Sequence, residues 1–145
     1  MREPDPLDEL AALLVTLRAA HPDEAPAQIE EFQRLAVAKS LDGVIAPVRP
    51  SAKHQHPFIA IDEYVGWTDD RGRLFDPWLR SHAAAGGRII KTAERSMVVE
   101  EPVGFWEMWT GRTFDESGKY AVEGALVPVS IELDRGVGRY VEPNV

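Results

Sequence analysis

Apolar residues recur three and four positions apart in two stretches near the start of the chain. Leu7, Leu10, Ala11, Leu14 and Leu17 follow Asp5-Pro6, a capping residue and a proline at the first helical position, so the spacing predicts a helix over about residues 6 to 20. His21-Pro22 ends it, because the residue before a proline is pushed out of the α region. A second helix is predicted from Pro26 to about Lys39, with Ile29, Phe32, Leu35 and Ala36 as its buried stripe and Glu30 and Glu31 in its first turns.

Asp42-Gly43 breaks that helix, and Val44 to Val48 follow as a short apolar run that reads as a strand, with Pro47 marking an edge or a bulge. The stretch from Arg49 to Leu74 is polar and long for a loop, so it should hold a short helix around Asp62 to Trp67 or carry function. Asp76-Pro77 repeats the cap-and-proline signal for a helix that stops at Gly86-Gly87. Arg88 to Ala93 and Ser96 to Glu100 read as one strand, with or without a bulge. Pro102 to Thr110 reads as a helix in which Phe105, Trp106 and Trp109 are large apolar anchors. Alternation over Ala125, Val127, Val129, Ile131 and Leu133, then Asp134-Arg135-Gly136 and a return strand around Gly138 to Val141, predicts a C-terminal β-hairpin.

At 145 residues the chain has the length of one domain with one core. Acidic residues outnumber basic ones 24 to 16, for a net charge of -8, and no basic block offsets them. That is the wrong footprint for a nucleic acid or an anionic membrane. The absence of cysteine excludes disulfides, thiolate catalysis and Cys-ligated zinc. No apolar run approaches the roughly 20 residues of a membrane span, and the opening residues are unlike a secretion signal, so a soluble, cytoplasmic protein is expected.

Three segments resemble the C-terminal half of the GNAT superfamily N-acetyltransferases, in particular a bacterial subgroup of rather large members. They are LDGVIAPVRPSAKHQHP (41 to 57), FDPWLRSHAAAGGRI (75 to 89), and WEMWTGRTFDESGKYAVEGALVPVSIE with VGRYVEPNV (106 to 132 and 137 to 145). The resemblance implies an α/β (α+β) fold over 26 to 145: a partial GNAT-like mixed β-sheet with flanking helices, closed by the C-terminal hairpin. It also implies acyl transfer from acetyl coenzyme A to an amine, with a tyrosine in a Tyr-x-x-x-Gly-Phe pattern often protonating the leaving thiolate. The matching stretch here is His82-Ala83-Ala84-Ala85-Gly86-Gly87, which puts His82 in the tyrosine's place.

An imidazole titrates near neutrality, so His82 is a candidate general acid or base. The alternative is a helix residue packed beside Trp78 or bonded to a backbone carbonyl. Arg49, Lys53 and Arg80 are the candidate cations for coenzyme A phosphates, set against their being scattered surface charges paired with acids. The family's glycine loop for the pyrophosphate corresponds to His21 to Ala27, which has no glycine and carries Asp23 and Glu24. A pyrophosphate would be repelled there.

His54-Gln55-His56 lacks a third ligand fixed by spacing, so no metal site is expected. Trp106 and Trp109, three apart, are either a stacking platform for a ligand or core anchors. Two functions follow. One is a GNAT-like acyltransferase using a coenzyme A thioester and an amine. The other is a non-catalytic GNAT-like module that dimerises or binds a partner or small molecule, because the N-terminal strands expected of the family have no counterpart here and an open sheet edge favours a homodimer or a second chain.

Overall fold

A computed structural model describes residues 25–145. The helix expected over 6 to 20 and most of the 21 to 27 loop lie outside the described residues.

The first described element, α1 (Ala25–Ala38), buries Phe32 and Ala36 from the stripe read in the sequence. It closes through Ser40, which takes a left-handed φ of 56° while the Leu41 amide reaches back to the Ala36 carbonyl at 2.9 Å. The run 44 to 48 corrects an expectation: it forms no strand. Ile45 is 83% exposed, and only Val48 finds a partner, exchanging amide-to-carbonyl bonds of 2.7 and 2.9 Å with Val145. Without a neighbour for the rest of its length, an apolar run has no ladder to join.

A 3-10 turn at Lys53–Gln55 and the one-turn helix α2 (Ile61–Tyr64) occupy the long polar stretch. Next comes α3 (Pro77–Ala84), whose cap is the one read from sequence: the Asp76 carboxylate accepts from the Trp78 and Leu79 amides, with Pro77 opening the helix. Helix α3 packs against α1, and Gln33 Nε2 donates to the Ala85 carbonyl at 2.9 Å.

The sheet is built from β1 (Ala93–Pro102), β2 (Gly118–Tyr120), β3 (Val129–Glu132) and β4 (Val137–Asn144), in spatial order β1-β4-β3-β2. The architecture is α+β, and every pairing among the described strands is antiparallel. The β3-β4 hairpin forms at the turn signal, where Gly136 takes a φ of 66° and its amide bonds the Leu133 carbonyl. Strand β2, three residues long and containing a glycine, carries no periodic signal, and residues 88 to 92 are not part of β1.

Between β1 and β2 lies α4 (Val103–Thr110), ended by Gly111 with a φ of 68°. It plants Trp106 on the sheet, where the indole joins Phe114, Ala125, Val129, Ile131 and Tyr140 in the core. A second cluster packs His56 edge-on to Trp67 and Phe75, with Tyr64 among them. Among the described residues, no helix is long and apolar enough to cross a membrane.

Candidate functional site

Arg49 donates from Nε to Glu142 Oε1 at 2.9 Å and from a terminal nitrogen to Glu142 Oε2 at 3.1 Å and to the Gly124 carbonyl at 2.8 Å. Glu142 is buried on β4 and also accepts from the Tyr140 hydroxyl at 2.5 Å. That hydroxyl in turn accepts from the Leu126 amide at 3.1 Å. Burial opposes charge on Arg49, but the bond and the charge of Glu142 outweigh it and hold the guanidinium above its ordinary value. Burial and the Glu142 bond push the Tyr140 phenol up to about 12. A bidentate pair of this kind fixes a surface segment to a strand. Here it ties residues 49 and 124 to β4.

Lys53 is fully buried, and its Nζ donates to the His56 carbonyl at 2.8 Å and the Leu126 carbonyl at 2.7 Å. Desolvation lowers its pKa. Beside it, Tyr64 donates to Asp76 Oδ2 at 2.8 Å, and Asp76 also accepts from the Ser51 and Ala52 amides at 3.2 and 2.8 Å. Asp76 thus caps α3 and anchors the 51 to 52 backbone at once. Burial first, then the bond to Asp76, drives the Tyr64 phenol far above its usual range.

Arg80 donates to the Leu74 and Phe75 carbonyls at 2.9 and 3.0 Å and lies 3.8 Å from Asp69. Of the three candidate cations, Arg49 and Lys53 therefore converge on one segment, Gly124 to Leu126, and Arg80 serves a different loop.

His82 lies in the last turn of α3, partly exposed, with its ring edge-on to Trp78 at 5.3 Å between centroids. Its Nδ1 is 2.8 Å from the Trp78 carbonyl oxygen. A carbonyl only accepts, so Nδ1 carries a proton and donates it, and Nε2 is the ring nitrogen without a partner among the described residues. The bond to a backbone carbonyl and the packing on Trp78 are both present. Together they fix the tautomer that a general base needs.

A cleft of ≈ 360 Å³ opens beside the C-terminal end of α4, lined by Trp109, Thr110, Arg112, Ala121, Val122 and Glu123. Trp106 is 2% exposed and Trp109 is 63% exposed, so the two indoles read as a pair in the sequence part company. Trp106 is the core anchor, while Trp109 is left to the cleft. Arg112 stacks over the Tyr120 and Phe114 rings at 5.0 and 5.5 Å. The charged members, Arg112 and Glu123, were not singled out from sequence. They lie eleven positions apart on either side of β2 and share no motif. His54 and His56 join no cluster of three metal-ligating side chains among the described residues.

One curated relative, described as the arginine N-acetyltransferase avaD of Aspergillus versicolor, is 36% identical over 156 aligned positions. The match takes in 94% of this chain and 54% of the relative, so the chain spans about half the length of the curated relative it matches. No family model matches the chain, and no solved structure matches it.

Proposed function

We propose that this chain carries out, or forms part of a protein that carries out, N-acylation of an amine with a coenzyme A thioester as acyl donor, in the manner of the GNAT enzymes its segments resemble. The observation that carries the reading is the 36% identity to an arginine N-acetyltransferase over 94% of the chain. An amino acid related to arginine is accordingly the first acceptor to test.

His82 is the residue we assign to proton transfer. An amine must shed a proton as it is acylated, and His82 Nε2 is the lone pair left free by the Nδ1 bond to Trp78. The donor's phosphates find little in Arg49, Lys53 and Arg80. Lys53 is fully buried against two carbonyls, Arg49 is clamped on Glu142, and Arg80 is occupied by two carbonyls beside Asp69. These three do not fit a pyrophosphate, and no step is assigned to them.

The test is turnover with acetyl coenzyme A and arginine, in wild type and in His82→Gln. A loss of more than about tenfold in kcat with KM for the amine little changed supports the assignment. An unchanged kcat removes His82 from the chemistry.

A non-catalytic, dimerising module is the second reading, and β1 favours it. This strand of ten residues forms one edge of the sheet, no described strand pairs with its outer side, and Met97 and Val98 are 45% and 43% exposed. Sedimentation across a concentration series supports this reading if a dimer forms at micromolar protein, and a strict monomer counts against it.

A further inference from the structure

We infer that the cleft at the end of α4 binds a free amino acid whose side chain carries a cation, with Arg112 on the α-carboxylate, Glu123 on the side-chain cation and Trp109 stacked on that cation and its stem. Three observations converge on this class of ligand. The first is charge. The described arginines with ion-pair partners are Arg34, Arg49, Arg73, Arg80, Arg135 and Arg139, each against a named carboxylate. Arg112 and Glu123 have no such partner among the described residues, although they line the same cleft. Opposite charges that line one open cleft without pairing to each other suit a ligand that itself carries both signs. A simple anion meets Glu123, and a simple cation meets Arg112.

Positioning is the second. Arg112 sits over the Tyr120 and Phe114 rings, which hold the guanidinium beside the cleft while its N-H groups have no hydrogen-bond partner among the described residues and are left for an acceptor such as a carboxylate. Glu123 is followed by Gly124, whose carbonyl is gripped by Arg49, and the Val122 carbonyl accepts from the Ala125 amide at 3.0 Å. The wall that carries the acid is therefore tethered on its C-terminal side to β4. The clamp on Arg49 acts as a positioning contact for the cleft.

The third observation is the indole. Trp109 is 63% exposed at the rim of this cleft, and an exposed tryptophan face is the best side-chain surface for a guanidinium or ammonium group. Thr110 spends its hydroxyl proton on the Trp106 carbonyl at 2.7 Å, so only its oxygen lone pairs are offered to the cleft. The volume falls within the lower part of the range for small-molecule sites.

The inference rests on the acyl-transfer reading only in naming the bound amino acid as the acceptor. Binding itself is measured with no acyl donor present, by calorimetric titration of arginine, agmatine (arginine without its carboxylate) and norvaline (its stem without the guanidinium) into the full chain. Arginine is expected to bind about tenfold more tightly than either truncated compound. Arg112→Gln should erase its advantage over agmatine, and Glu123→Gln its advantage over norvaline. Trp109→Ala should weaken arginine and agmatine together. Thermal melts verify that each variant is folded. Equal binding of all three compounds, no binding at millimolar ligand, or preferences that survive both charge substitutions would overturn the site. Arginine binding without acetylated product leaves the cleft standing and removes the activity. Product formed with a wild-type KM for arginine in the Arg112 and Glu123 variants does the reverse.

Discussion

Trp106 and Gly138 are fitted to each other. The indole lies across the glycine so closely that a Cβ built there would sit 2.3 Å from Trp106 Cδ1, and Trp106 Nε1 donates to the Gly138 carbonyl at 2.9 Å. The contact fastens α4 to β4 and so sets where the end of that helix, with Trp109 and the cleft, is placed.

Gly138→Ala is expected to destabilise the fold by about 1–3 kcal/mol or more, because the added carbon meets a rigid ring with no flexible end to move aside. Chemical denaturation reads this directly. A variant as stable as wild type would mean that α4 is not seated as described.

Asp76 receives two amides beyond the two of its cap role, as well as a phenol: Ser51 and Ala52 from the preceding loop, Trp78 and Leu79 from α3, and the Tyr64 hydroxyl. Asp76→Ala strands these donors in a buried place and is expected to cost on the order of 3 kcal/mol. Asp76→Asn, which turns an NH₂ toward donors, should also destabilise. A loss no greater than that of an ordinary surface cap would contradict the hub.

Lys53→Met tests whether this buried cation is structural. It leaves the His56 and Leu126 carbonyls without Nζ, and a loss of roughly 1–3 kcal/mol is expected in a denaturant melt. Because the ammonium does not reach solvent, affinity for acetyl coenzyme A should be unchanged in the folded variant. A selective loss of donor affinity at unaltered stability would return Lys53 to the phosphates.

Alkaline pH should weaken the fold through Tyr140. Its folded pKa is raised to about 12 from an ordinary 10.0, so the stabilisation is complete below pH 10 and lost as pH rises through 12. Wild type should lose stability across that window more steeply than Tyr140→Phe, as read by denaturation at a series of pH values. Parallel curves would show that the phenol is not bonded to Glu142.

Local signals in the sequence were reliable where the chain itself makes the decision. Asp76-Pro77 marked α3 because capping uses only neighbouring residues, and Asp134-Arg135-Gly136 marked the hairpin because a glycine with positive φ closes it. Val44 to Val48 misled because a strand needs a partner, and only Val48 has one. Lys53 read as a surface cation because nothing local shows that the Leu126 carbonyl, 73 residues away, joins the neighbouring His56 carbonyl in taking up its ammonium. Of the apolar anchors expected on this helix only Trp106 is buried, while Trp109 and Phe105 are exposed, because which ring is covered depends on the position of Gly138 in the sheet and not on helical spacing. Arg112 and Glu123 come to line one cleft only because β2 forms between them.

The most direct measurement incubates the purified full chain with acetyl coenzyme A and, separately, arginine, agmatine, norvaline and a neutral primary amine, following thiol release and identifying products by mass spectrometry. The account predicts thiol release that depends on added amine, an N-acetylated arginine as the preferred product, and a loss of more than about tenfold in His82→Gln. Folded protein that releases no thiol and acetylates none of these amines would contradict it.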